Sequence, residues 1–265
     1  MILVALLILG LILGSFINVL VERMHAGQDF VHGRSHCDHC GHELAVWDLV
    51  PVLSWLSLAG RCRYCKAKVS WQHPAVEIIA GLLFAASYYW WPLGFSNLGS
   101  KALFAAWLIS LVGLTALAIY DLKWMLLPSK IIYPTFAVAA AGRLIYLVTV
   151  EDHKPHALLL WAGSIVVASG FFLVLYIISQ GKWIGYGDVR LGLVTGTLLA
   201  APALSFLMIF LASVAGTLIA VPLLTLQKKN LSSRLPYGPF LIMATAVVMI
   251  FGQSLLDWYN RVLGG

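Results

Sequence analysis

The sequence predicts an all-α polytopic membrane protein with about eight transmembrane helices and one small extramembrane domain. Of its 265 residues, 61% are hydrophobic and only 11% are charged, and the mean hydropathy is +0.90. A soluble domain typically carries about 25% charged residues, so this composition excludes a soluble fold. The one long polar stretch, residues 22–73, contains all four cysteines and six of the eight histidines.

Eight apolar segments form the predicted spans, because about 20 helical residues cross a hydrocarbon core of about 30 Å. They are residues 2–21, 75–91, 103–120, 131–150, 157–179, 189–200, 204–226 and 237–256. The sixth is the shortest and ends where Ala201-Pro202-Ala203 interrupts the helix. We therefore expect a first transmembrane helix at 1–21, an extramembrane domain at 22–73 and a seven-helix membrane domain at 74–265.

The basic residues predict how these spans are oriented. With eight spans, 13 of the 17 Lys and Arg residues fall on one side of the membrane, and Lys101, Arg143, Lys154 and Arg261 fall on the other. Lys and Arg concentrate in cytoplasmic loops. The pattern therefore predicts that the cysteine-containing domain, Asp121, Asp188 and the basic loop after the seventh span all face the cytoplasm.

Two Cys-x-x-Cys pairs in the polar stretch predict a metal site. Cys37 and Cys40 form one pair, Cys62 and Cys65 form the other, and 21 residues separate the pairs. Four thiolates with this spacing are typical of a closed, structural zinc site. Two disulfides are the alternative, which a reducing cytoplasm disfavours. One of His36, His39 and His42 replacing a cysteine ligand is a further alternative.

Asp121 and Asp188 are the candidate catalytic residues. Each lies at the edge of an apolar segment in a chain with only 11 acidic residues, and Asp188 ends the run Gly185-Tyr186-Gly187-Asp188. Ionisable groups at such places cost free energy and are functional candidates. The alternative is that each aspartate caps a helix end. Glu77, at the start of the second span, is expected to pair with a nearby cation.

Several motifs together resemble the bacterial type IV prepilin peptidases over nearly the whole chain. The N-terminal motifs are Gly14-Ser15-Phe16-x-Asn18, Gly33-Arg34-Ser35-x-Cys37-x-x-Cys40, Gly60-Arg61-Cys62-Arg63-x-Cys65 and His73-Pro74-x-Val76-Glu77. The later motifs are Asp121 with Leu127-Pro128, Gly185-x-Gly187-Asp188, and Pro236-Tyr237-Gly238-Pro239-Phe240. Ser129 departs from the family pattern, in which an acidic or amide residue is common, and leaves a local helix cap in question.

The resemblance implies an aspartic endopeptidase of the bacterial inner membrane. Such enzymes cut the basic leader from prepilins and from the pseudopilins of type II secretion, after a glycine, and Asp121 and Asp188 match the catalytic pair. The full cysteine domain implies a second activity, methylation of the new N-terminus with S-adenosylmethionine. No residues for that methyl donor can be assigned from the sequence, and no nucleic-acid partner is expected.

Two other functional classes compete with a protease. A transporter or channel could use two aspartates for ions, but such sites usually lie near the bilayer midplane in broken helices, often within inverted repeats. A non-catalytic scaffold could bind a partner through the zinc domain, but it has no use for the Gly-Tyr-Gly-Asp turn. Cleavage of a prepilin separates the protease from both.

Overall fold

The computed structural model of the chain describes residues 1–29, 33–151, 154–227 and 236–263. Across these residues the protein is helical, with two isolated antiparallel bridges and no β-strand. The predicted basic loop with Lys228, Lys229 and Arg234 lies outside the described residues. The helical class expected from the composition is confirmed.

Nine α-helices and one short 3₁₀ helix (Val46–Leu49) make up the described structure. The α-helices are α1 (Ile2–His25), α2 (Leu53–Ser57), α3 (Gln72–Tyr89), α4 (Leu98–Trp124), α5 (Ser129–Thr149), α6 (Lys154–Ser179), α7 (Tyr186–Leu199), α8 (Pro202–Gln227) and α9 (Gly238–Leu263). Local signals set several boundaries. Asn97 caps α4 by accepting a 2.7 Å hydrogen bond from the Ser100 N–H, and a proline opens α8.

Six helices in the described part of the chain are long and apolar enough to cross a membrane: α1, α4, α5, α6, α8 and α9. The protein is therefore a multi-pass membrane protein. The other two predicted spans correspond to α3 and α7, so the count of eight spans is not confirmed. Helix α7 has 14 residues, and at 1.5 Å per residue it is about 21 Å long, short of a 30 Å core.

The chain forms two compact units, Met1–Tyr89 and Trp90–Gly265. In the first, α1 packs along α3 at the short distance that glycines allow. A Cβ atom on Gly14 would lie 2.6 Å from the Cα of Glu77, and one on Gly10 would lie 2.6 Å from the Ala80 carbonyl oxygen. Gly14 and Gly10 therefore let α1 pack closely on α3. Asn18, on the same helix, is buried and donates to the His73 carbonyl oxygen at 3.3 Å.

The second unit is a six-helix bundle, α4 to α9, in which α4 and the short α7 are the most buried helices. Its core includes Trp107, Leu114 and Leu191, all fully buried. Gly192 and Gly196 on α7 face the α6 backbone, where added Cβ atoms would lie 2.7 and 2.8 Å from α6 Cα atoms. Helix α7 is thus held inside the bundle by close backbone contact, because small residues let helices approach.

Replacing Gly14 with valine should destabilise the first unit by about 1–3 kcal/mol, because the added side chain overlaps the α3 backbone. Thermal unfolding of purified protein in detergent measures the effect. Ile12→Val is the matched control, since Ile12 is half exposed on the same helix. An unfolding temperature unchanged by Gly14→Val would contradict the close α1–α3 packing.

Labelling of single added cysteines tests the orientation predicted from the basic residues. The two variants are Ser96→Cys and Lys123→Cys. Ser96 lies just before α4, Lys123 lies near the other end of that helix, and both native side chains are exposed. A membrane-impermeant maleimide added to intact cells should label a cysteine at position 96 and not one at position 123. The parent protein, which has no added cysteine, gives the background labelling of the four native cysteines. Labelling at 123 from outside would reverse the predicted orientation of α4.

Candidate functional site

Asp121 lies inside α4, three residues before the last residue of the helix, and it is 6% exposed. Its Oδ2 atom accepts a 3.0 Å hydrogen bond from the Gly238 N–H at the start of α9. Asp121 is therefore not a helix cap of its own segment. An N–H group at a helix N-terminus is well placed to stabilise negative charge on this carboxylate.

Asp188 lies in the first turn of α7 and is 9% exposed. Its carboxyl group interacts electrostatically with Asp121 and with the backbone of Gly185, the N-cap residue of α7. The interaction with Gly185 is typical of an acidic residue in a first helical turn, which is the alternative considered for Asp188. It does not account for the proximity of Asp121, a second buried carboxyl group on a separate helix.

Two glycines and one leucine set the spacing around this pair. A Cβ atom on Gly187 would lie 2.9 Å from Cβ of Leu127, and one on Gly238 would lie 2.7 Å from Oδ2 of Asp121. Leu127 also lies near Gly238, with its Cδ2 atom 3.5 Å from the same added Cβ. The Gly187 backbone thus packs directly on the loop that follows Asp121, which fixes the start of α7 beside the end of α4.

Arg190, two residues after Asp188, joins α7 to α5. Its guanidinium donates to the Ser129 hydroxyl and lies 4.7 Å from the centre of the Tyr186 ring. Ser129 makes no capping bond to α5, whose N-cap residue is Pro128. The Ser129 hydroxyl therefore links the start of α5 to the helix that bears Asp188.

Sequence reasoning missed Gly238 and Leu127 as parts of this site. The Tyr237-Gly238-Pro239 run predicts a helix start, and α9 does begin at Gly238. Its backbone contact with Asp121 joins residues 117 positions apart, and no spacing rule could reveal it. The one sequence signal for this contact was Gly238 itself, since a glycine at a helix start can mark a place where another group lies close to the backbone.

The four cysteines lie together as the sequence predicts. The sulfur atoms of Cys37, Cys40, Cys62 and Cys65 are all within 4.8 Å of one another, and the thiols are free. Cys37 and Cys65 sulfurs are 3.9 Å apart, close to the roughly 3.8 Å expected between ligands of a tetrahedral site with Zn–S bonds of about 2.3 Å. No histidine belongs to this cluster in the described part of the chain. The residues fit a zinc ion.

Each Cys-x-x-Cys pair sits in the same type of loop. The first cysteine of each pair donates a backbone hydrogen bond to a carbonyl oxygen five residues later, and the residue after the second cysteine, Gly41 or Lys66, has positive φ. Matching antiparallel bridges flank the loops, His36 with Glu43 and Arg61 with Lys68. Backbone hydrogen bonds within each loop therefore hold the four thiols close together without a metal ion.

An ion pair and a ring contact tie the knuckles to the surrounding segment. The Arg63 guanidinium donates to Asp48 at 2.7 Å, and the His42 and Tyr64 rings are 3.6 Å apart. Burial raises the pKa of Asp48, but hydrogen bonds from Arg63, the Ala45 N–H and Tyr64, with the Arg63 charge, outweigh it and hold the pKa below its usual value. Asp48 therefore remains a carboxylate that links the 3₁₀ helix to the second knuckle.

Glu77 on α3 is buried, and its Oε2 accepts a 2.7 Å hydrogen bond from the Val52 N–H. It also hydrogen bonds to Ser15 and interacts electrostatically with His73. No Lys or Arg forms an ion pair with Glu77 among the described residues, so the cation expected beside it is not found there. The main contact of the carboxylate holds a backbone turn, since Val52 has positive φ, which is unusual for a β-branched residue.

Comparisons with known proteins match both halves of the chain. Residues 8–91 match the family model of the bacterial peptidase A24 N-terminal domain, and residues 108–221 match that of the type IV leader peptidase family. Curated relatives include a prepilin leader peptidase/N-methyltransferase of Stutzerimonas stutzeri, 29% identical over 96% of this chain and 92% of the relative. One of the same name from Bacillus subtilis is 29% identical over 98% of both chains. No solved structure matches the chain significantly.

The zinc site expected at the cysteine cluster can be tested without measuring enzyme activity. Purified protein should carry about one zinc ion per chain, and Cys62→Ser should lose it and make residues 22–73 more sensitive to protease, because structural zinc supplies folding free energy. His39→Ala is the control, and it should keep the metal if the ligands are four thiolates. Metal-free wild-type protein with the same protease resistance in the presence and absence of chelator would contradict this role.

Proposed function

Because this chain belongs to the type IV leader peptidase family, we propose that it removes the basic leader peptide from type IV prepilins and from the pseudopilins of type II secretion. It is an aspartic endopeptidase in this proposal, and it cuts after a glycine. The observation that supports the proposal best is the pair Asp121 and Asp188, two buried carboxyl groups that interact across the helices α4 and α7.

The chemistry follows from the proximity of the two groups. Two carboxyl groups in one apolar site cannot both ionise cheaply, so they share a proton. The ionised group takes a proton from water as the water oxygen attacks the scissile carbonyl carbon. The protonated group donates to the amide nitrogen as the C–N bond breaks, which releases a carboxyl group and a new amine. The titration belongs to the pair, so neither aspartate alone is named as the acid.

Charge supports the proposed location of this site. The excess of Lys and Arg on one side of the predicted spans favours a cytoplasmic position for the aspartates and the cysteine segment, in the bacterial inner membrane. A leader that is basic and cytoplasmic, followed by an apolar segment in the membrane, places its cut site at that surface. We propose a first helix at 1–21, a zinc domain at 22–73, and a membrane domain at 74–265 that carries the pair.

We also propose that the enzyme methylates the new N-terminus with S-adenosylmethionine. When bound, S-adenosylmethionine would supply the methyl group, and the neutral amine exposed by cleavage would accept it and lose a proton. Zinc on Cys37, Cys40, Cys62 and Cys65 has a structural role in this proposal, since four thiolates leave no open coordination position for catalysis.

Conservative substitutions test the aspartate pair. Asp121→Asn and Asp188→Asn preserve shape but each remove an ionisable group, so each should reduce leader cleavage by at least about 1000-fold, and the double variant should cost little more. Cleavage of a purified prepilin in liposomes measures the effect, with zinc content and abundance as checks on folding.

Asp257→Asn is the matched control, because Asp257 is an exposed aspartate on α9 that hydrogen bonds to Gln253. It should cleave like the wild type. Near-normal cleavage by Asp188→Asn would remove that residue from the mechanism. Rapid loss of cleavage in EDTA while the protein stays folded would indicate metal-assisted hydrolysis instead.

A further inference from the structure

Two short helices between the cysteine pairs expose an apolar face. They are the 3₁₀ helix Val46–Leu49 and the helix α2, Leu53–Ser57. The exposed apolar side chains of this stretch, which together are called the apolar face below, are Val46, Trp47, Leu49, Val50, Leu53 and Leu56. Trp47 is 77% exposed, and Leu53 is 64% exposed. A concentration of exposed apolar side chains marks a surface that contacts another protein or a membrane.

The spacing of these residues places them on one side of each short helix. Val46 and Leu49 are three positions apart in a 3₁₀ helix, where side chains at this separation lie above one another. Leu53 and Leu56 have the same separation on α2, so they also share one side of their helix. Each helix therefore presents a row of apolar side chains outward.

Other side chains of the same stretch attach it to the second cysteine knuckle. The Asp48 carboxylate accepts a 2.7 Å hydrogen bond from Arg63, and the Trp55 indole N–H donates to the Val69 carbonyl oxygen at 3.2 Å. A Cβ atom on Gly60 would lie 2.8 Å from Trp55 Cζ2, so the ring packs directly on the backbone beside the knuckle. The carboxylate thus faces the protein while leucine and valine side chains face outward, the reverse of a surface adapted to water.

A hydrogen bond fixes the depth of this stretch relative to α1. The Val52 N–H, between the two short helices, donates to Glu77 Oε2 at 2.7 Å. The Glu77 carboxylate also hydrogen bonds to Ser15 of α1, and the Glu77 backbone lies against Gly14. Ser15 precedes Glu22, the first charged side chain of the sequence, by seven residues. At 1.5 Å per residue, the turn at Val52 therefore lies about 10 Å inside the end of the apolar run of α1.

This depth corresponds to the lipid–water interface of a membrane. Helix α1 is long and apolar enough to cross a bilayer. An interfacial helix buries its apolar face about 5–10 Å into the boundary between headgroups and acyl chains. Trp71, which directly precedes α3, is also exposed, and the next residue, Gln72, donates to the Asn18 side chain of α1 at 3.5 Å. Trp71 and Trp47 fit this level, because tryptophan is enriched at membrane interfaces.

We propose that the apolar face inserts into the lipid bilayer beside α1, while the two cysteine knuckles remain on the water side. The partner of this surface is membrane lipid. The inference goes beyond the proposed peptidase and methyl-transfer activities and does not depend on them. It changes the description of residues 22–73, because part of this segment is then embedded in the membrane interface.

Fluorescence quenching in nanodiscs measures whether lipid or water contacts the apolar face. A fluorescent non-natural amino acid replaces Leu56 in full-length, zinc-loaded protein. Its quenching by lipids with brominated acyl chains is compared with its quenching by iodide in the buffer. Brominated lipid should quench the probe by about half or more, and iodide should have much less effect, because an interfacial helix inserts its apolar side chains about 5–10 Å into the lipid.

Two reference positions carry the same probe. Ile8 is half exposed in the apolar run of α1 and reports contact with lipid. Glu43 is exposed on the first knuckle, where it pairs with Arg34 at 3.0 Å, and reports contact with water. Zinc content and unfolding temperature identify any variant that fails to fold. Trp47 is the second test position and replaces Leu56 if the variant at that position fails these checks.

The ratio of lipid quenching to iodide quenching decides between the outcomes. A ratio at position 56 closer to that at position 8 than to that at position 43 supports insertion. A ratio closer to that at position 43 shows that water covers the apolar face and overturns the proposal. Resistance to both quenchers also overturns it, because protein then covers this face, either residues 90–265 or a second copy of the chain.

Discussion

The cost of placing two carboxyl groups in an apolar bundle is the constraint on which the membrane unit depends. Asp121 and Asp188 are both buried, and each receives a backbone contact, from Gly238 and Gly185 respectively. Backbone donors at helix starts stabilise negative charge without adding another ionisable group. Among the described residues, no Lys or Arg forms an ion pair with either carboxylate, as the proposed sharing of one proton by the two aspartates requires.

Glycines allow the helices to reach this arrangement. Gly187 lets the start of α7 pack on Leu127, and Gly192 and Gly196 let the same helix lie against the α6 backbone. A polar contact adds to this packing, since the Ser164 hydroxyl on α6 donates to the Gly196 carbonyl oxygen at 2.8 Å. Helix α7 is thus fixed on two sides, and a short buried helix can present an aspartate at a set position without crossing the membrane.

The segment that carries the cysteines is too short to bury a large apolar core, so other interactions must stabilise its fold. Its two knuckles repeat one backbone pattern and bring four sulfur atoms within 4.8 Å. The Asp48–Arg63 pair and the Glu77–Val52 hydrogen bond connect the segment internally and to α3. A metal on the thiolates would stabilise the two loops that carry the cysteines.

The sequence by itself determined the helical class, the membrane setting, the two cysteine knuckles and the two candidate aspartates. These follow from local properties, namely apolar length, Cys-x-x-Cys spacing and the scarcity of acids near apolar segments. Only the tertiary structure decided that Gly238 donates to Asp121, that α7 packs against the α6 backbone, and that Glu77 accepts a hydrogen bond from the Val52 N–H. Each of these depends on contacts between residues far apart in the chain, and neither periodicity nor spacing encodes which distant backbone atoms will meet.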